Sequence, residues 1–290
     1  MQFDFFNDNQ SVALRNDVIL ALEKFDAPAA QQAWKALTGH DPHDAAAVPL
    51  LLVIVSLHES TTTPFQSHAD LHAACHEMQN KISPAALAGM GTAAANVWLN
   101  ARWQALATRA AALAYRTEHP NEHAAPLWLQ TQQWQAAADA VALIESWRRI
   151  PAPLSWMLHA RLQLQGLQAN WGLLAELAWL APQRLERVVQ QTAEPILQAL
   201  VRQFEARFEE AGDADDLAWF PAWVLTERPA LAPALTQAQA SRHTQPEQAM
   251  RIMIELLGLE RQGRQREVLA HRKTLRGLNG ALYAAYMATR

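Results

Sequence analysis

A single cysteine, Cys75, stands in a chain of 290 residues that holds only ten glycines. One thiol cannot close an intramolecular disulfide, which excludes a small stapled scaffold of the secreted kind. So little glycine leaves few places for tight turns and strained loops. Charged side chains make up 18% of the sequence against 50% apolar, a balance that excludes wholesale disorder. No apolar run approaches the roughly 20 residues needed to cross a bilayer. The longest, Val48 to Leu57, is interrupted by Ser56 and is expected to be a buried helix. A Gly-rich phosphate loop, a Gly-x-Ser-x-Gly elbow and a Cys-x-x-Cys pair are all missing, so the common nucleotide-binding, hydrolase and redox signatures fail. The net charge of −4 and isoelectric point near 6.3 provide no global attraction to nucleic acid or an anionic membrane surface. The first residues, Met-Gln-Phe-Asp-Phe-Phe-Asn-Asp, lack the basic start of a signal peptide. A cytoplasmic protein without membrane insertion is the expectation.

What is present is helix-forming. Ala, Leu and Gln dominate, and the predicted fold class is all-α. Pro120, Pro151 and Pro182 recur at intervals of 31 residues, and each interval holds two apolar stretches with helical phase. In the second interval Trp156, Leu158, Ala160, Leu162 and Leu164 lead to Gly166, after which Trp171, Leu174, Leu177, Ala178 and Ala181 recur at three- and four-residue steps. Two short antiparallel helices joined near Gly166 fit this pattern. In the first, Trp134, Ala137, Ala138, Val141 and Ile144 form one stripe. A helix pair standing alone would expose its apolar face, so neighbouring pairs must stack.

Paired helices punctuated by proline resemble tetratricopeptide repeats. Counting back from Pro42, Leu14, Val18, Ala21, Ala30 and Trp34 fall on that family's packing positions, with Leu37 in place of its second small residue. In the interval ending at Pro182, Arg161 and Asn170 replace the family's aromatic and alanine. The resemblance covers two or three units, under half the chain. It implies antiparallel helical hairpins stacked as a tetratricopeptide-like α-solenoid that offers a surface to another protein or peptide, and it brings no catalytic residues. The connector Thr117–Pro126 suggests an N-terminal helical subdomain over 1–118 and a C-terminal helical-repeat subdomain over 119–290.

Local signals place several boundaries. Asp26 and Ser67 are expected N-caps, and Thr244 with Glu247 has the form of a capping box. Helix is expected over 183–210 with a break at Pro195, then an acidic loop over 212–216 and a last helix near 267–287 interrupted by Gly277 and Gly280.

Three constellations carry possible chemistry. His68, His72 and His76 are spaced four apart with Cys75 beside them, so on a helix they share one face and could ligate zinc. No other element brings an obvious remaining ligand, and a polar helix face with one buried thiol is the preferred reading. A metal-dependent enzyme or metal-binding protein is the alternative function. Arg261, Arg264, Arg266, His271, Arg272, Lys273 and Arg276 form a basic C-terminal stretch, with Tyr283 and Tyr286 downstream, that could meet nucleic-acid phosphates. Net acidity and the lack of any known binding motif argue against nucleic acid. Trp219, Phe220 and Trp223, beside Pro221 and the acidic residues Asp213, Asp215 and Asp216, are the candidate partner-binding patch. No catalytic residue is assigned and no cofactor is required. The leading reading is a scaffold that binds a partner on a helical-repeat surface.

Overall fold

The computed structural model describes residues 3–208, 213–239 and 243–290, with side chains from residue 10 onward, residue 214 excepted. Every regular element among the described residues is helical. The chain divides into two compact units, 1–133 and 134–290, and the connector over 117–126 lies inside the first.

The first unit opens with the hairpin α1 (Phe3–Glu23) and α2 (Ala27–His40). Phe25, in a left-handed conformation, makes the turn, and the Asp26 carboxylate accepts from the Ala29 amide at 2.9 Å to cap α2. Val18, Ala21, Ala30 and Leu37 are buried between these helices and their neighbours, and Leu14 and Trp34 pack against the same core. The Trp34 indole donates to the Ala47 carbonyl at 2.7 Å, fixing the start of α3 (Ala47–His58). Next come α4 (His68–Glu77), a π-helical turn (Met78–Ile82), α5 (Ser83–Met90), α6 (Thr92–Ala110) and α7 (Ala124–Gln130). Ser67 caps α4 as expected, its hydroxyl accepting from the Asp70 amide at 3.1 Å. The apolar run expected to be a fully buried helix is buried on one side only. Leu50, Val53, Ile54 and Leu57 of α3 enter the core, whereas Val48, Leu52 and Val55 face outward, 70%, 47% and 43% exposed.

The second unit runs α8 (Trp134–Ala142), α9 (Pro151–Gln165), α10 (Trp171–Leu180), α11 (Pro182–Gln191) and α12 (Pro195–Arg207). After them come α13 (Phe220–Glu227), the short α14 (Ala232–Leu235), α15 (Gln245–Arg261), α16 (Gln265–Leu278) and α17 (Gly280–Ala288). The expected hairpin around Gly166 is α9 and α10, and Gly166 turns the chain at a positive φ of 74° that a side chain would strain. Pro151, Pro182 and Pro195 each stand at the first position of a helix, where the missing N–H has no partner to lose. The prolines of the second unit therefore open helices, and Pro195 separates two of them. Glu210 and Gly212, at the expected end of that helix and in the acidic loop, lie outside the described residues; Asp213 onward forms a 3-10 turn (Ala214–Trp219). The Thr244 hydroxyl accepts from the Glu247 amide at 3.4 Å, but the returning Glu247 carboxylate takes the His243 amide, one residue earlier than a capping box predicts. Asn279, extended between α16 and α17, divides the expected last helix and caps the second half at the Leu282 amide.

Two helices form the middle of this unit. Every residue from Phe220 through Thr226 of α13 is buried, with α10, α12, α15 and α17 packed around it. In α10 all residues from Trp171 to Trp179 are buried, and a Cβ at Gly172 would stand 3.0 Å from the Ala238 amide nitrogen. Burial of each large side chain here stabilises the unit by about 1.5–3 kcal/mol.

Candidate functional site

Phe220 and Trp223 are core residues. Trp223 is 1% exposed, edge-on to Phe204 at 5.4 Å, and Phe220 meets Phe204, Trp223 and Trp171 within 6.4 Å. Instead of the exposed patch expected from sequence, these two rings join an aromatic cluster with Phe208 because α13 is enclosed on all sides. Trp219, at the end of the 3-10 turn, is half-buried. Asp213 and Asp216 serve each other's backbone as a capping box, and Asp215 accepts from Gln183.

The three histidines of α4 do share a helix but have separate occupations. His68 is buried, its Nε2 at 2.9 Å from the Ala114 carbonyl and its ring stacked on His119 at 5.4 Å. His72 places Nδ1 2.8 Å from a Glu122 carboxylate oxygen, and His119 approaches the other oxygen at 4.0 Å. His76 is exposed and stacks loosely on His72. Burial first, then the Glu122 charge, push the Cys75 thiol up to about 11, which keeps it protonated and a poor ligand. No group of three or more His, Cys, Asp or Glu side chains among the described residues is placed to hold a metal ion. What the cluster does is tie the segment before α7 to α4. His123, at the end of that segment, caps α7 with Nδ1 accepting from the Ala125 amide at 3.2 Å. Burial, with His68 nearby, lowers its pKa to about 4, so it is neutral and able to accept.

Part of the basic C-terminal stretch is matched by acidic residues. On α15, Glu260 lies 3.1 Å from Arg272 and Glu255 2.8 Å from His271, and Arg264, just before α16, pairs with Glu267 in its first turn. Tyr286 is buried and bonded to Glu260 and Arg272, so its ring is not open to base stacking, whereas Tyr283 is half-buried beneath Arg276. No helix among the described residues is long and apolar enough to cross a membrane.

The site that sequence reasoning missed is a groove in the first unit, bounded by α3, by α4 with the π-helical turn, and by α6. It encloses about 290 Å³. Leu52 and Val55 form one lip, continuing the outward stripe that begins at Val48, and Met78, Ile82 and Leu106 form the floor. Arg102 and Arg109 enter from α6, seven residues apart and therefore on the same face. Arg102 Nη2 donates to the Ser56 carbonyl at 3.2 Å, and its buried Nε has no partner among the described residues. Arg109 Nε donates to the Thr63 carbonyl at 2.8 Å, and its guanidinium lies 3.9 Å over the Phe65 ring. Neither guanidinium has a described carboxylate within 4 Å. Desolvation, and secondarily the Arg109 charge, hold Arg102 below its ordinary value. Glu59 sits on the rim, and Glu77 is engaged by Lys81 at 3.5 Å. The π-helical turn is itself a feature that recurs at functional sites.

A signal for this groove did exist in the sequence. The helix from Thr92 to Ala110 holds two arginines and no acidic residue, and the run from Val48 to Leu57 is apolar on every side, where a half-buried helix would be polar outside. Comparison with known protein families, with curated proteins and with solved structures finds no match to this chain.

Proposed function

We propose that the protein is a cytoplasmic scaffold that binds another protein, or a peptide segment of one, on helical hairpins of tetratricopeptide-like kind. The observation that carries this reading is the outward apolar stripe Val48, Leu52 and Val55 on α3, beside an open groove. Such a stripe is costly in water and is characteristic of a contact surface. The α1–α2 hairpin supports the repeat reading, because Val18, Ala21 and Ala30 point inward, as the resemblance implies, with Leu37 buried where the family has a small residue. Partner contacts belong to α3 in this reading, since Phe220 and Trp223 are enclosed.

The test is co-purification of the full chain from its native cells, with partners identified by mass spectrometry. A variant combining Val48→Asp and Leu52→Asp is expected to lose its stoichiometric partner. Leu143→Asp and Leu269→Asp, also at exposed apolar positions but in the second unit, are expected to keep it. Equal retention in all three would remove the α3 surface from consideration.

A further inference from the structure

Two arginines without a carboxylate partner, set in a groove with apolar walls, define a ligand chemistry. A guanidinium taken out of water is unfavourable unless an anion or several acceptors compensate it. Arg102 has one carbonyl, the distant Trp98 ring at 5.5 Å and a second positive charge for neighbours. Elsewhere in the chain some arginines of comparable burial are paired: Arg148 grips Glu176 with two hydrogen bonds at 2.8 and 2.9 Å, and Arg251 meets Glu247. Among the described residues Arg102 and Arg109 have no such pair, which they share with the half-buried Arg161, but these two stand together in one groove.

The surroundings narrow the anion. A nucleic acid or another polyanion would run past the Glu59 and Glu77 carboxylates on the rim and would gain nothing from Leu52, Val55 and Leu106. A single carboxylate attached to an apolar side chain satisfies both features, because the planar guanidinium fork matches it and the lip covers its neighbour. At 290 Å³ the groove is at the small end of ligand sites, suited to an anchor rather than to a whole cofactor. The stripe that leads out of it along α3 offers further contact to whatever chain carries the anchor.

We propose that this groove binds an acidic and apolar segment of a partner protein, the carboxylate seated at Arg102 and Arg109 and an adjacent apolar side chain packed on Leu52 and Val55. This rests on the partner-binding reading above and adds the partner's chemistry and the residues that read it. Bound, the carboxylate gives the two guanidinium groups an ionised acceptor, and its charge offsets the repulsion between the two arginines.

The experiment is selection of a displayed library of random peptides, three to four helical turns long, against the intact protein. Synthetic copies of the enriched sequences are then titrated by fluorescence anisotropy. Enriched peptides are expected to carry an Asp or Glu, or a free C-terminus, within one turn of a large apolar residue. Replacing the acid by its amide, or amidating the C-terminus, then identifies which carboxylate is used. Arg102→Met, Arg109→Gln and Leu52→Asp should each weaken binding about tenfold or more, and Arg102→Lys should lose less than Arg102→Met. Arg109 and Leu52 are exposed enough for their variants to fold, which an unchanged circular-dichroism spectrum would establish. Peptides that bind Arg102→Met and Arg109→Gln as well as the natural protein would overturn the carboxylate assignment while leaving the partner-binding reading in place. A library that yields no binder would overturn both. Tight binding of a single-stranded oligonucleotide, lost in the same variants and falling steeply with salt, would replace the peptide with nucleic acid.

Discussion

Protonation of His123 should weaken the first unit, and the size of the effect can be worked from its surroundings. In the folded chain the ring is buried and its Nδ1 lone pair holds the Ala125 amide at the start of α7. A protonated ring has no lone pair to offer, and burial disfavours the charge, which is why its pKa falls to about 4 from an ordinary 6.5. The folded value is depressed, so as the pH falls the unfolded chain takes up this proton first. The stability is intact above about pH 6.5 and is lost as the pH falls toward about 4. Integrated from about pH 7 to about pH 5, the loss is about 1.5–2 kcal/mol. The measurement is a difference, so that it reports His123 alone. His123→Asn keeps a side-chain acceptor at the N-cap and cannot be protonated. Urea unfolding of the natural chain and of this variant, at both pH values, should show the natural chain losing about 1.5–2 kcal/mol more. Equal losses in the two proteins, or a larger loss in the variant, would refute the account of His123 as a buried neutral cap.

The enclosed aromatic cluster predicts that Trp223→Ala costs about 3–5 kcal/mol and lowers the urea midpoint sharply, whereas Trp219→Ala, at a half-buried position, costs well under half of that. Similar small costs at both positions would return them to the surface. The Glu176 carboxylate, 4% exposed in its side chain, accepts from Arg148 and from the Gln239 amide, so it ties the turn before α9 and the segment after α14 to α10. Glu176→Gln should destabilise by about 3 kcal/mol and Arg148→Met by a comparable amount, with the double variant well short of the sum. Strict additivity, measured by the same unfolding assay, would mean that the pair acts as two independent groups.

Helix identity was legible because it is written locally. The caps at Asp26 and Ser67, the turn at Gly166, the break at Pro195 and the inward positions of α1 and α2 each depend on a few adjacent residues, and sequence periodicity reports them. Placement in three dimensions was not. Trp219, Phe220, Pro221 and Trp223 look like a surface patch beside acidic residues, and only the helices packed around α13 show that two of the three aromatics are core. The same limit applied to the histidines. Their four-residue spacing was correct for one helix face, but the occupations of His68 and His72 come from Ala114 and Glu122, some fifty residues away in the chain. His271 and Arg272 find their acidic partners, Glu255 and Glu260, on α15, a pairing that depends on which helices meet. The groove was hidden for a different reason. Leu52 and Val55 read as ordinary core residues, and an arginine's missing partner is visible only when everything around it has been placed.

The central claim, that α3 and its groove receive a partner, is tested most directly by photo-crosslinking. A photoreactive residue in place of Leu52, with the same residue in place of Leu269 as control, would be introduced into the intact protein in its native cells. The account predicts a discrete crosslinked partner from position 52 alone, lost when Arg102→Met is added. Identical products from positions 52 and 269, or a product from position 52 that is indifferent to Arg102→Met, would contradict it.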